Sequence, residues 1–100
     1  MKKVLLISPQ AMATQIFTER ARQLIQSRGI AAEISSMSEA DAIPLINNFD
    51  LIILSPQLRF LLSDKQALGI KNDLPIEVLN SKDFGKLDPE AVLQIIVSHM

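Results

Sequence analysis

Ser8 follows four aliphatic residues, Val4-Leu5-Leu6-Ile7, and precedes Pro9-Gln10-Ala11-Met12-Ala13-Thr14 and then an amphipathic run. That order predicts a buried strand, a tight loop and the start of a helix. At such a junction, unpaired backbone N–H groups and the positive end of the helix dipole converge, and the combination binds oxyanions. Ser8 stands where a reactive side chain would emerge, and Pro9 to Thr14 form the candidate phosphate-binding loop. A second strand end, Leu51-Ile52-Ile53-Leu54 followed by Ser55-Pro56-Gln57, supplies Gln57 as a candidate donor to the same anion. Blander roles exist for each residue. Ser8 can cap the first helix, Met12 can pack, Thr14 can cap, and Gln57 can open a helix.

Other chemistry is excluded by composition. The chain has no cysteine, which removes disulfides, thiolate metal sites and a thiol nucleophile. One histidine, His99, is too few for a zinc site, so neither metal nor cofactor is expected. Ten basic residues face eleven acidic ones, and four Phe stand without Trp or Tyr. There is no electrostatic case for nucleic acid and no stacking platform for single strands. Lys82 and Lys86 read as surface charges. The apolar runs are about four residues long, far short of the ~20 of a membrane span. Met1-Lys2-Lys3 with four apolar residues does not make a signal-peptide core. A cytoplasmic protein without direct membrane insertion is expected.

The elements that position the junction follow from periodicity. Four apolar runs, Val4–Ile7, Ile30–Ile34, Leu51–Leu54 and Ile76–Leu79, predict four strands. The first and third are wholly aliphatic and suit a strand buried on both faces of a parallel sheet. The second and fourth carry Glu33 and Glu77 and suit edges. Helical spacing over 13–28 places Ile16, Phe17, Ala21, Leu24 and Ile25 on one face, with Gly29 as the C-cap. Ser38 and Asp41 open a second helix that Pro44 limits. Residues 57–68 suggest a third. Asp88-Pro89-Glu90 starts a last helix through Ala91, Val92, Ile95 and Ile96. The order predicts one doubly wound, flavodoxin-like or phosphatase-like domain over residues 1–100, with a four-stranded parallel sheet of order 2-1-3-4 and helices on both faces. Ligands of such sheets bind beyond the strands' carboxyl ends, at the switch point between strands 1 and 3. The residues expected at those ends are Ser8-Pro9-Gln10, Ser35-Ser36, Ser55-Pro56-Gln57 and Asn80-Ser81-Lys82.

The chain resembles the enzyme IIB component of the lactose/cellobiose (chitobiose) branch of the bacterial sugar phosphotransferase system. Three stretches carry the likeness. Ser8-Pro9-Gln10-Ala11-Met12-Ala13-Thr14 is similar to a loop of the type Cys-Ser-Ala-Gly-Met-Ser-Thr. Asp50-Leu51-Ile52-Ile53-Leu54-Ser55-Pro56-Gln57 is similar to Asp, four aliphatics and Gly-Pro-Gln. Leu74-Pro75-Ile76-Glu77-Val78-Leu79 and Phe84-Gly85-Lys86-Leu87-Asp88 are similar to Pro-Val-Glu-Val-Ile and Tyr-Gly-Lys-Val-Asp. The resemblance implies a phosphocarrier. A phosphohistidine of an enzyme IIA partner would pass its phosphoryl group to the loop nucleophile, which would pass it to a disaccharide bound by the membrane permease, enzyme IIC. A helix N-terminus lowers a thiol pKa from about 8.5 to roughly 3.5–7.5, so a cysteine there attacks without a dedicated base.

This chain departs from the pattern at the decisive place. Ser8 occupies the cysteine position, and a hydroxyl needs a base. Pro9 removes one N–H, Gln10 is bulky, and Ala11 replaces glycine. Two explanations compete, a single exchange of cysteine for serine and natural divergence, and four successive departures favour the second. Two readings remain open: a carrier that is inactive or altered as written, and a non-catalytic regulatory or interaction module on the same fold. A flavodoxin-like nucleotide binder needs a hydroxyl-rich or glycine-rich first loop and stacking aromatics, which are missing.

Overall fold

Two strands whose buried stretches, Val4–Ile7 and Leu51–Leu54, are wholly aliphatic form the middle of the molecule. In the computed structural model, which describes residues 1–9, 11–66, 68–71, 73–82 and 88–100 and not the side chains of 11–14, β1 spans Lys2–Ile7 and β3 spans Leu51–Leu54. They are flanked by β2, Ala32–Met37, and β4, Ile76–Val78. All pairings are parallel, and the strand order is 2-1-3-4, as expected. Val4 through Ile7 and Leu51 through Leu54 are each 0% exposed, whereas β4 and much of β2 are only partly covered.

Alternation of side chains across the pleat builds two cores from one sheet. On one face, Val4, Leu6, Leu51 and Ile53 pack with Phe17, Ala21 and Ile25 of α1 (Ala11–Ser27) and with Val92, Leu93 and Ile96 of α3 (Pro89–Ser98). On the other, Leu5, Ile7, Ile52 and Leu54 pack with Ala42 of α2 (Glu39–Ala42), with Ile46, and with Leu58, Leu61, Ile70 and Leu74. Helical segments therefore cover both faces.

The helix ends follow their local chemistry. The Ser38 hydroxyl accepts from the Asp41 N–H, and Pro44 then turns α2 into a 3-10 segment over Ile43–Asn48. The Asp88 carboxylate accepts from the Glu90 N–H at 3.1 Å, with Pro89 in the first turn of α3. Gly29, at φ 65°, closes α1: its N–H donates to the Gln26 carbonyl and that of Ile30 donates to the Ile25 carbonyl. This paired pattern satisfies the last carbonyls of a helix and requires the left-handed conformation.

Four expectations are corrected. Ile30 belongs to the closure of α1, so the second strand is Ala32–Met37 rather than Ile30–Ile34, and Ser35 and Ser36 lie within it. Ile16 is 49% exposed, and Thr18, at 2%, takes the buried place beside Phe17. The expected third helix over 57–68 is a 3-10 segment, Pro56–Leu62, broken at Leu58. The fourth strand ends at Val78, one residue early.

Two exposed groups tie the helices together. Arg28, just beyond α1, donates from Nη1 to Glu90 Oε2 at 2.9 Å and from Nη2 to Oε1. The hydrogen bond raises the Arg28 pKa and holds the Glu90 carboxyl below its ordinary value. Because the folded pKa of Glu90 is lowered, its contribution is present above the unfolded value and is lost as pH falls through the folded one. The stability difference between the parent and Glu90→Gln in urea titrations is therefore expected to shrink on acidification, and to be small throughout because both groups face water. Ile53→Ala is expected to cost about 3 kcal/mol, as a cavity between the sheet and α1, and Gly29→Ala about 1 kcal/mol through φ alone. Urea midpoints check both.

Candidate functional site

The site is built by the two central strands running one residue further. The Ser8 N–H donates to the Met37 carbonyl at 3.2 Å and the Ser55 N–H to the Ile7 carbonyl at 3.0 Å. The register Ile7 to Leu54 therefore sets Ser8 beside Ser55. Both residues continue the parity of Leu6 and Ile53, so both side chains belong to the face covered by α1 and α3. Ser8 is 1% exposed and Ser55 0%. Three residues beyond Ser8, α1 begins, 17 residues long and with no acidic residue in its first turn. The positive end of its dipole is thus not neutralised by its own sequence.

The expected residues are brought together only in part. Ser8 is at the switch point and forms interactions within the fold. Pro9 is exposed. Gln10 lies outside the described residues, as do Lys86 and the stretch 83–87. Ala11, Met12, Ala13 and Thr14 are in the first turn of α1, their side chains outside what is described. Gln57 is exposed on the 3-10 segment that follows β3. Ser55 is what a reading by residue type passes over. The available signal was its parity, since it repeats, on the neighbouring strand, the position of Ser8.

Asp50 belongs to the same motif but serves the fold. Its carboxylate accepts from the Lys3 N–H at 2.8 Å and its own N–H donates to the Lys3 carbonyl at 2.8 Å, which fastens the start of β3 to β1. A groove of about 760 Å³ runs between α1 and the open edge of β2, lined by Ile25, Ile30, Ala32 and Ile34. Its Arg22 is already bound to Glu19 and to the Ile34 carbonyl. Among the described residues, no cluster of three or more His, Asp or Glu is disposed to hold a metal ion, and no helix is long and apolar enough to cross a membrane.

A parallel sheet with a strand-loop-helix site at its switch point narrows the possibilities to a few families, and comparison decides among them. Residues 3–95 match the family model of the lactose/cellobiose-specific IIB subunit of the PTS system. The chain belongs to this IIB family. It is 27% identical, over 100% of its length and 97% of the relative's, to the PTS system oligo-beta-mannoside-specific EIIB component of Bacillus subtilis (strain 168). It superposes with a TM-score of 0.77 on the cellobiose-specific phosphotransferase IIB component of Borrelia burgdorferi, at 28% identity, covering 98% of this chain and 90% of that one. The lactose-specific IIB component domain of Streptococcus pneumoniae has the same fold, with a TM-score of 0.74 at 21% identity over 98% and 96% of the two chains. IIB subunits have a phosphocarrier-type role in sugar phosphotransferase systems and work with IIA and IIC components.

A cysteine introduced by Ser8→Cys is expected to titrate below about 8.5, because the dipole of α1 opposes the effect of burial. The pH dependence of its alkylation rate measures this. A value above that would mean that desolvation outweighs the helix.

Proposed function

We propose that this chain is a phosphocarrier domain of a sugar phosphotransferase system, with residues 1–100 forming one domain that acts at the cytoplasmic face of its permease. It would receive a phosphoryl group from a IIA phosphohistidine and pass it to a disaccharide or related glycoside held by IIC, the sugar class named for its relatives. The observation that carries the reading is the place of Ser8: the first residue beyond the central strand β1, at the switch point, three residues ahead of α1.

In the transfer, the phosphohistidine P–N bond breaks, a bond forms between phosphorus and the residue 8 nucleophile, and the nucleophile's proton ends on the departing imidazole nitrogen. Loop N–H groups and the α1 N-terminus would hold the phosphoryl oxygens. Pro9 supplies no N–H to that cradle. A thiolate attacks readily, whereas a protonated hydroxyl does not. A serine phosphate ester is also a poor donor to sugar. The chain as it stands would therefore be an inactive or altered carrier. The burial of Ser8, with the missing N–H of Pro9, favours a second reading: a non-catalytic regulatory or interaction module that docks the same partners without being phosphorylated.

Incubation with phosphorylated IIA separates the two, with mass spectrometry as readout. The carrier reading expects Ser8→Cys to take up one phosphoryl group, the parent little, and Ser8→Ala none. A Ser8→Cys protein that folds and stays unmodified would remove the carrier reading.

A further inference from the structure

Ser55 differs from the other helix-end serines in what its hydroxyl does. Ser38 caps α2 by accepting from the Asp41 N–H, and the hydroxyls of Ser27, Ser63 and Ser98 donate to the carbonyls of Leu24, Phe60 and Ile95. Ser55 occupies the N-cap of the 3-10 segment Pro56–Leu62, where its backbone carbonyl accepts from the Leu58 N–H at 3.0 Å, yet its side chain makes no capping bond. Its Oγ is fully buried and has no hydrogen-bond partner among the described residues. A buried hydroxyl without a partner is costly, and native structures hold few of them. Alanine would fill the same space without that cost. The backbone of Ser55 is extended, at φ −65° and ψ 157°, so its parity is that of Leu51 and Ile53, and the Ser55 N–H bond to the Ile7 carbonyl carries the β1–β3 register on to the Ser8 position.

We propose that Ser55 is an oxyanion ligand of the Ser8 site: its Oγ–H donates a hydrogen bond to an oxygen of a phosphoryl group carried on residue 8, or of inorganic phosphate held in the same place. The inference rests on the phosphocarrier reading for the first source and on the geometry of the strand ends for both. Three features converge on the ligand chemistry. The donor is uncharged and small, the adjacent helix end is positive, and neither Ser8, Ser55 nor the first turn of α1 brings a carboxylate to the place. Burial excludes water that would compete for the donor, and hydrogen bonds to charged acceptors are the stronger ones.

Ser55→Ala tests this, since it deletes the hydroxyl and little else. Without phosphate, its urea midpoint is expected to equal or exceed that of the parent, because a partnerless polar group has been removed. Its affinity for inorganic phosphate, measured by calorimetry, is expected to fall about tenfold or more. In the Ser8→Cys background, the phosphoryl group donated by IIA is expected to be lost faster when Ser55→Ala is added. Unchanged phosphate affinity overturns the proposal, as does a parent that binds no phosphate at millimolar concentration. A lowered midpoint without phosphate also overturns it, since the hydroxyl would then have a structural partner. Should folded Ser8→Cys accept no phosphoryl group, the carrier reading falls, while the phosphate arm still decides the role of Ser55.

Discussion

The fold depends on β1 and β3 pairing while buried on both faces. From Val4 to Ile7 and from Leu51 to Leu54 no side chain can hydrogen-bond, so every backbone N–H and C=O must be satisfied within the ladder. An apolar surface on both faces does not fix register by itself, because a slipped strand would still bury aliphatic side chains. The ends fix it. At the amino end, Asp50 exchanges two hydrogen bonds with the Lys3 backbone. At the carboxyl end, the polar residues Ser8 and Ser55 mark where the aliphatic runs stop. The register that closes one clamp also sets Ser8 and Ser55 at neighbouring strand ends, so the candidate site is a consequence of how the sheet is locked.

That geometry acts differently on a thiol and on a hydroxyl. A helix N-terminus stabilises a nearby negative charge by a limited amount, worth a few pKa units at most for a thiol. Such a shift brings a cysteine to its reactive form near neutral pH. A serine hydroxyl starts so much higher that the same shift leaves it protonated. No carboxylate or imidazole lies beside Ser8 in sequence to take its proton, and His99 is engaged elsewhere, with Glu77 at 3.0 Å. On the phosphocarrier reading a base for Ser8 would arrive with the donor, since the leaving imidazole of a phosphohistidine is chemically such a base. On that reading an oxygen in place of sulfur would move the burden of activation from the fold to the donor.

Much of this was legible in the chain. Strand order, the central pair and the caps at Ser38, Gly29 and Asp88 follow from aliphatic runs and from residues with one strong local preference. What failed to show were effects of tertiary context. Ile16 and Thr18 are both plausible on the buried face of α1 by type, and the helix's rotation over the sheet selects Thr18. Ile30 has the composition of a strand residue but is consumed by the closure that Gly29 permits. The segment after β3 has helical spacing, but it runs as 3-10 from Pro56, and Leu58, at φ −105° and ψ 16°, interrupts it. Ser55 stands at a strand end that the sequence already sets beside Ser8, but its part there depends on parity with a residue 47 positions earlier, which residue type alone does not express.

The distribution of charge around the sheet fits the same division of labour. Acidic residues enter the first turns of α2 and α3, where Glu39, Asp41 and Glu90 complement the dipole. The first turn of α1 has none. If α1 served stability alone, an acid there would be a gain of a few tenths of a kcal/mol or more, and nothing in the packing of Phe17, Ala21 and Ile25 forbids it. An acid at this end would instead repel an incoming phosphoryl group. The helix end left without a carboxylate and the hydroxyl without a capping bond each cost some stability, and both lie at the carboxyl ends of the two strands that hold the fold together.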